Sequence, residues 1–418
     1  MLKGLRPKSE FATSIATLLT GTAVAQAIPI AATPILTRLY TPEDFGILAL
    51  FMAITTLLGS IANGRYELAI MLPAEDDDAI NVAALCVLIA SIFSVLLLAI
   101  VILFNEQLAE LMGNKEVAFW LYFVPITVWG TGFFNALNYL NTRSKNYKDI
   151  ATTRVFKSII LVSINLVYGV FKSGAAGLIW GQIASQLFAN LKLLKNGLNR
   201  FNLGAISVIR IKQVAIKFIG FLKYNMWAVL ANNLSSNLLN ILISGFYSVA
   251  TLGHFSIAQK LLGIPSTVIG SAISQVYFKG AVDEKNKTGK ASLIFKRTTL
   301  ILFALSCSAF IPLYFLLPEL FAWVLGEKWR IAGEYSKILL PFYFVRFISS
   351  SVSISVSVFQ KNKLSLVINI LILMLSMLVF FVSTHYGLGF EKFLSYYSFL
   401  MAGLYAAFLY WYWKIVKG

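Results

Sequence analysis

Twelve apolar stretches, each long enough to cross a lipid bilayer, follow one another along this chain with short gaps between them. They lie at about residues 11–33, 45–72, 79–104, 117–140, 150–171, 174–191, 221–244, 250–279, 292–317, 336–358, 364–384 and 390–413. A helix needs about 20 such residues to span the roughly 30 Å hydrocarbon core. Charged residues make up 13% of the 418 and hydrophobic ones 58%. That charge supply is too small to coat a water-facing surface, and the apolar content rules out disorder. The chain is therefore predicted to be an all-α polytopic membrane protein, with Pro and Gly inside several spans tolerated where neighbours satisfy the freed backbone groups.

The first run has some marks of a secretory signal. Lys3, Arg6 and Lys8 precede it, and Ala23-Val24-Ala25-Gln26-Ala27 offers small residues at cleavage-like spacing. The run nevertheless continues through Ile30 and Ala32 and leads into another span, so it is expected to remain as a helix.

The net charge of +17 does not point to nucleic acid, because the basic residues sit in the gaps between apolar runs. There they suit anionic lipid headgroups and set orientation. With the N-terminus inside, 25 of the 35 Lys and Arg fall on inner segments and their flanks, against seven on the outer side. Both termini are thus expected in the cytoplasm. Inner loop 75–78, Glu75-Asp76-Asp77-Asp78, is acidic but weighs little in this rule. Cys86 and Cys307 lie in apolar runs, and His254 and His385 stand apart, so no metal site or other cofactor is predicted. The longest outer loop is about 318–335. The longest inner one, 192–220, alternates Ile206, Ile209, Val214, Ile216 and Phe218 with Arg210, Lys212 and Lys217, and is expected to lie along the interface. It divides the chain into a six-helix lobe at 1–195, a cytoplasmic linker at 196–220 and a second six-helix lobe at 221–418.

An internal repeat supports that division. Residues 39–46, Leu39-Tyr40-Thr41-Pro42-Glu43-Asp44-Phe45-Gly46, align with 246–253, Phe246-Tyr247-Ser248-Val249-Ala250-Thr251-Leu252-Gly253. Tyr falls on Tyr and Gly on Gly, each segment being the outer turn between the first two helices of its half. Six helices per half make this a parallel repeat, an arrangement that places substrate near the midplane between halves.

These residues also carry a family resemblance. The turn from Thr37 through Arg38, Pro42 and Gly46 resembles the R-x-L-x-P-x-x-(Y/F)-G turn of bacterial polysaccharide flippases. Gly64-Arg65-Tyr66-Glu67-Leu68-Ala69-Ile70 resembles the end of their second helix, and Gly253-His254-Phe255-Ser256-Ile257-Ala258 the opening of their eighth. The likeness is to the Wzx-type O-antigen flippases of the multidrug/oligosaccharidyl-lipid/polysaccharide exporter superfamily. It implies two six-helix lobes in a V around a central cationic cavity, in the bacterial inner membrane. It also implies transfer of undecaprenyl-pyrophosphate-linked sugar repeats from the cytoplasmic to the periplasmic leaflet by alternating access, for O-antigen, capsule or exopolysaccharide. A proton or sodium gradient or the membrane potential would drive it, and a polymerase of the same glycan pathway is an implied partner beside membrane lipids. Related lipid II flippases carry arginines on their first helix, and run 11–33 has none.

Charges at membrane depth are functional candidates, since each costs about 2.5–3.5 kcal/mol on insertion scales. Lys260 and Arg346 each fall ten residues into a predicted span, about 15 Å from its outer start. Ser256, Lys260, Gly263, Thr267, Gly270 and Ser274 form one helical stripe; Arg346, Ser349, Ser350, Ser353 and Ser357 form another. Asn225, Asn232, Asn233, Ser236, Asn237 and Asn240 share a broad face of the seventh span. These rows either line a hydrated cavity or serve close helix packing and cross-helix hydrogen bonds. Arg65 has two readings, a substrate ligand or a side chain snorkelling to the inner interface and paired with Glu67. For Arg38 and Glu43-Asp44 a topogenic or capping role stands beside any substrate role. Lys and Arg suit a pyrophosphate; Asn, Ser and Thr suit sugar hydroxyls.

Two other functions fit less well. A cation-coupled drug or metabolite exporter of the same superfamily wants intramembrane carboxylates, and the charges within these spans are mainly basic. An integral-membrane glycan polymerase or glycosyltransferase usually needs a larger outer loop than 318–335, whose Glu319, Glu327 and Glu334 have no recognisable spacing. A non-enzymatic role is expected, and the sequence has no phosphate-binding G-x-x-x-x-G-K-S/T loop.

Overall fold

The computed structural model describes residues 10–171, 174–198 and 203–417, with side chains at 17, 18, 20–171, 174–195, 203–234, 237–361, 364, 365 and 367–417. All regular structure among these residues is helical. The first unit contains α1 (Glu10–Leu39), α2 (Pro42–Gly59), α3 (Asp76–Leu111), α4 (Val117–Leu121), α5 (Val124–Arg143), α6 (Tyr147–Val170), α7 (Ala175–Leu198) and α8 (Val208–Lys217). Next come α9 (Met226–Phe246), α10 (Val249–Pro265), α11 (Ser271–Thr288), α12 (Ser292–Leu325), α13 (Arg330–Val352), α14 (Ser355–Val358), α15 (Asn362–His385) and α16 (Phe390–Lys417). The two compact units are Met1–Asn233 and Leu234–Gly418, so the division falls inside α9.

Among the described residues, nine helical segments are long and apolar enough to cross a membrane. A tenth counts if the pair Val208–Lys217 and Phe221–Leu234, bent by 55°, is one span. The expected runs 11–33 and 174–191 are also helical, as α1 and α7, but stand outside that count; α7 is interrupted by Gln182, Gln186 and Asn190. Along α3 and α12, Leu96, Leu103, Leu300 and Phe315 are exposed, as lipid-facing side chains must be.

In the first unit α1 packs on α6, α6 on α7, α3 on α5, and α2 on both α5 and α7. In the second, α13 is central and touches α10, α12 and α16. Close approach in the first unit depends on glycine. A Cβ at Gly177 would stand 2.1 Å from the Tyr40 hydroxyl, and one at Gly169 would stand 2.9 Å from the same ring. Tyr40 fills that space, 1% exposed, and its hydroxyl donates to the Asn165 carbonyl at 2.6 Å.

The two repeated turns share a cap. Thr41 Oγ1 accepts from the Asp44 amide at 3.2 Å, and the Asp44 carboxylate accepts from the Thr41 amide at 2.8 Å. That is a reciprocal capping box at the start of α2. At the start of α10, Ser248 Oγ accepts from the Thr251 amide at 3.0 Å. Pro42 and Gly46 are buried in the first turn of α2, and Gly253 in α10.

Three local readings of the sequence are corrected. Run 45–72 is not one helix: α2 ends at Gly59, and a 3-10 turn covers Tyr66–Met71. Gly64 and Arg65 between them take φ of 59° and 66°, a left-handed conformation that reverses the chain. The outer loop 318–335 is mostly helix, because α12 continues to Leu325 and α13 begins at Arg330. Arg330 holds this connection by pairing with Glu319 and Glu327, so two of the three glutamates without obvious spacing converge on one guanidinium. Arg38 lies in the last turn of α1 rather than in a loop, since α1 and α2 are joined by Tyr40 and Thr41 alone.

Segment 203–217 docks on the first unit. Asn81 Nδ2 donates to the Ala205 carbonyl at 2.9 Å, and its Oδ1 accepts from the Ser207 amide at 2.9 Å. The Tyr66 hydroxyl donates to the Ala215 carbonyl at 2.9 Å, and Val214 joins a core with Ile70, Ile80 and Cys86. Val208, Ile209 and Ile216 point outward and exposed, the amphipathic pattern of an interfacial helix.

Candidate functional site

Arg346 and Lys260 occupy adjoining helices of the second unit. Tyr343, one turn before Arg346 on α13, donates its hydroxyl to the carbonyl of Gln259 on α10 at 3.5 Å, next to Lys260. The Arg346 guanidinium lies over the rings of Phe342 at 5.5 Å and Tyr343 at 5.4 Å. Tyr397 and Tyr405 of α16 are near enough to interact with it electrostatically. Arg346 has no carboxylate partner among the described residues. It is a half-buried cation held in place by π-faces and phenol oxygens, which leaves its forked N–H donors without an anionic acceptor.

The stripe on α10 combines two roles that the sequence left as alternatives. Around Lys260 it is open: Lys260 is exposed, and a Cβ at Gly263 would meet nothing within 4 Å. Lower down it is packed, for a Cβ at Gly270 would stand 2.8 Å from Ser351 Oγ of α13. Between the two levels α10 gives way, after Pro265, to a wider π turn over Ser266–Gly270. Hydroxyls along both stripes mostly donate to their own helix. Ser256 donates to the Gly253 carbonyl at 2.9 Å, Ser353 to that of Ser350 at 2.7 Å, and Ser350 to that of Phe347 at 3.5 Å. Their oxygens keep acceptor capacity.

The asparagine row lies on α9. Asn232 is exposed; Asn233 is half-buried and donates to the Val229 carbonyl at 3.1 Å. Asn237 is half-buried, and Asn240 has a buried Oδ1 with no hydrogen-bond partner among the described residues. Ser236 lies outside the described side chains.

Arg65 belongs to the first unit and pairs with Glu67 at 2.9 Å, Glu67 being 2% exposed. Its left-handed backbone places it at the break after α2 rather than on a continuous helix. Arg38 is exposed on α1, away from the membrane middle. The turn containing Arg38, Pro42 and Gly46 builds the α1–α2 connection by its cap and by Tyr40. Burial, with a smaller effect from Asp44, pushes the Tyr40 hydroxyl up to about 12.

Two features escaped the sequence. Lys157, which the charge count places with the basic inner flank after 141–149, lies ten residues after the start of α6 at Tyr147 and bonds to the Gln186 side-chain oxygen on α7. Its Nζ lies 5.5 Å from the centre of the Phe134 ring. Depth counted along its own helix was the available signal. The acidic loop also does more than its topogenic weight suggests. Arg143 pairs with Asp76 at 2.8 Å and donates to the Pro73 carbonyl at 2.8 Å, while Arg210 reaches Asp77 at 3.4 Å. No local pattern announces contacts from residues so distant in the chain.

The profile of a family described as "Polysaccharide biosynthesis protein" matches residues 35–334. The succinoglycan biosynthesis transport protein ExoT of Rhizobium meliloti (strain 1021) is 24% identical over 280 residues, which are 65% of this chain and 54% of that protein. The chain thus spans about half the length of that curated relative. Among solved structures, an inward-facing multidrug resistance MATE family transporter of the MOP superfamily superposes with a TM-score of 0.71 at 14% identity, over 96% of this chain and 98% of that one. The lipid II flippase MurJ, in an inward closed conformation, gives 0.69 at 14% identity, over 96% and 90%. At these identities the likeness is one of fold.

Proposed function

The chain belongs to the family of polysaccharide biosynthesis proteins, and from that premise we propose that it is a flippase for lipid-linked oligosaccharide. The cargo is an undecaprenyl-pyrophosphate-linked repeat unit, carried by alternating access from the cytoplasmic to the periplasmic leaflet of the bacterial inner membrane, with both termini cytoplasmic. The observation that carries this reading is a pair of cations well inside adjoining spans, with Arg346 lacking a carboxylate partner among the described residues. A diphosphate supplies the missing acceptors: the guanidinium fork takes two oxygens and the Lys260 ammonium adds a point charge. The side of α10 at Gly263, one turn from Lys260, is open. Asn237 and Asn240 of α9, with Ser256, Ser350 and Ser353, provide acceptors and amides for hydroxyls of the attached sugar. The apolar tail stays in the lipid.

A cation exporter is a poorer fit. Its cargo needs an intramembrane carboxylate, and Glu67 is committed to Arg65. Energy would come from an ion gradient or the membrane potential, and the polymerase that consumes the cargo would be a partner on the outer side.

Reconstituted protein and a fluorescent polyprenyl-pyrophosphate oligosaccharide test this. Lys260→Gln and Arg346→Gln are each expected to abolish leaflet transfer while inserting normally. Transfer at wild-type rate by both variants would remove the site from the mechanism.

A further inference from the structure

The first unit contains a chamber of about 320 Å³ between α2, α5, α6 and α7, its largely apolar wall carrying several polar side chains. That is at the small end of ligand pockets, roughly 300–1,000 Å³, and suits a ligand of one-sugar size. Among the described residues Lys157 is its only charged lining residue. That charge favours an anionic ligand over a cationic one. The ammonium has one polar partner among the described residues, the Gln186 oxygen. Gln186 is itself fixed, donating from Nε2 to the Gly130 carbonyl and to Asn190 Oδ1, both at 3.3 Å. The lysine is therefore aimed by a braced amide and retains N–H donors.

The rest of the wall has a consistent polarity. Thr55, Thr127 and Thr131 donate their hydroxyl protons to carbonyls of their own helices, at 2.8, 2.8 and 2.9 Å. With their protons so placed, the oxygens keep acceptor capacity, the complement of a ligand's hydroxyl protons. The side-chain amides of Asn135 and Gln182, both half-buried, make no hydrogen bond among the described residues, so each has donors to offer. Unspent amides at a half-buried wall are unfavourable unless water or a ligand satisfies them.

We propose that this chamber is a subsite for one anionic sugar unit, with its acid group on the Lys157 ammonium and its ring hydroxyls on the threonine oxygens and the Asn135 and Gln182 amides. This deepens the flippase reading and rests on it for the origin of the sugar: the repeat unit would include an acidic residue. All of its lining residues belong to the first unit.

The test is ligand-detected NMR titration of the full-length protein in detergent with glucuronate, glucose and inorganic phosphate. Glucuronate is expected to bind saturably, and glucose at least about tenfold more weakly for want of the charge-assisted contact. Lys157→Gln should weaken glucuronate by about tenfold or more, and Lys157→Arg much less. Thr131→Val removes a sugar contact without touching the charge, so it should weaken glucuronate and leave phosphate unchanged, which keeps the test decisive if Lys157→Gln misfolds. Glucuronate binding unaltered in both Lys157→Gln and Thr131→Val overturns the proposal. So does phosphate binding as well as glucuronate and displacing it fully, which marks a plain anion site. Because the probes are free sugars and the readout is binding, failure here leaves the leaflet-transfer test standing, and failure of that test leaves this one standing.

Discussion

Replacing Arg346 by glutamine separates a cargo ligand from a structural clamp. The guanidinium covers two aromatic rings at 5.4–5.5 Å, and two desolvated cation–π contacts are worth about 2–4 kcal/mol together. Against this stands the cost of keeping a cation without a counter-charge at membrane depth, about 2.5–3.5 kcal/mol. The two terms nearly cancel, so the variant should melt within about 1 kcal/mol of wild type. Cargo affinity has no such compensation. A guanidinium–diphosphate fork makes two charge-assisted hydrogen bonds, and at the low end of their range they amount to about 3 kcal/mol, or roughly a hundredfold in affinity. The two quantities are read together: thermal melting in detergent, and binding of a polyprenyl-pyrophosphate sugar to the same protein in nanodiscs. Arg346→Lys keeps the charge and loses the fork, and should fall between, at about tenfold. A variant whose melting drops by several kcal/mol while binding holds would show that Arg346 ties α13 to α16 and touches no cargo.

Three further outcomes follow from the first unit. Thr41→Val removes the cap of α2 and should lower stability by about 1 kcal/mol, whereas Thr41→Ser should be near neutral; melting temperatures decide. Glu67→Leu leaves the Arg65 charge unpaired in a largely buried setting and should destabilise by about 3 kcal/mol, the low end for a broken buried pair because Arg65 stays partly exposed, with Arg65→Met added on top recovering most of it. Tyr40 has its pKa raised from 10.0 to about 12, so its folded protonated form is favoured; that contribution is whole below pH 10 and is lost as pH rises towards 12. Wild type should therefore lose more stability than Tyr40→Phe between pH 9 and pH 11, measured as unfolding midpoints at about those values.

Much of the fold is legible because a bilayer leaves few options. An apolar run of 20 residues becomes a helix, and the repeated turn marks equivalent connections, so α2 and α10 begin at Pro42 and Val249 in the same register. Interruptions are harder to read. Gly64 and Arg65 take left-handed angles inside an apolar run, where hydropathy predicts only continuity. The end of α12 was misplaced because membrane helices extend past the hydrocarbon, and pairing of Arg330 with Glu319 and Glu327 supports such an extension from outside the apolar pattern. Lys260 and Arg346 stood out as charges amid apolar neighbours. Lys157 did not, since Arg154 and Lys148 upstream gave it the look of a basic flank, and only α7 bringing Gln186 beside it shows otherwise.

The repeat also shows where function has diverged from scaffold. Shifting α10 and α13 back by the 207 residues that align the turns sets Lys260 on Ala53 of α2 and Arg346 on Tyr139 of α5. Ala53 is 2% exposed, a tight packing position in the first unit, while Lys260 is exposed in the second. Turn chemistry is common to both halves, in the Thr41 and Ser248 caps and the glycine five residues on. The cations are not. The first unit has alanine and tyrosine at those positions. Lys260 and Arg346 are thus particular to the second unit, and each carries a desolvation penalty, which agrees with the cargo role proposed for them. The first half carries its own mid-helix cation at a different place, Lys157 on α6.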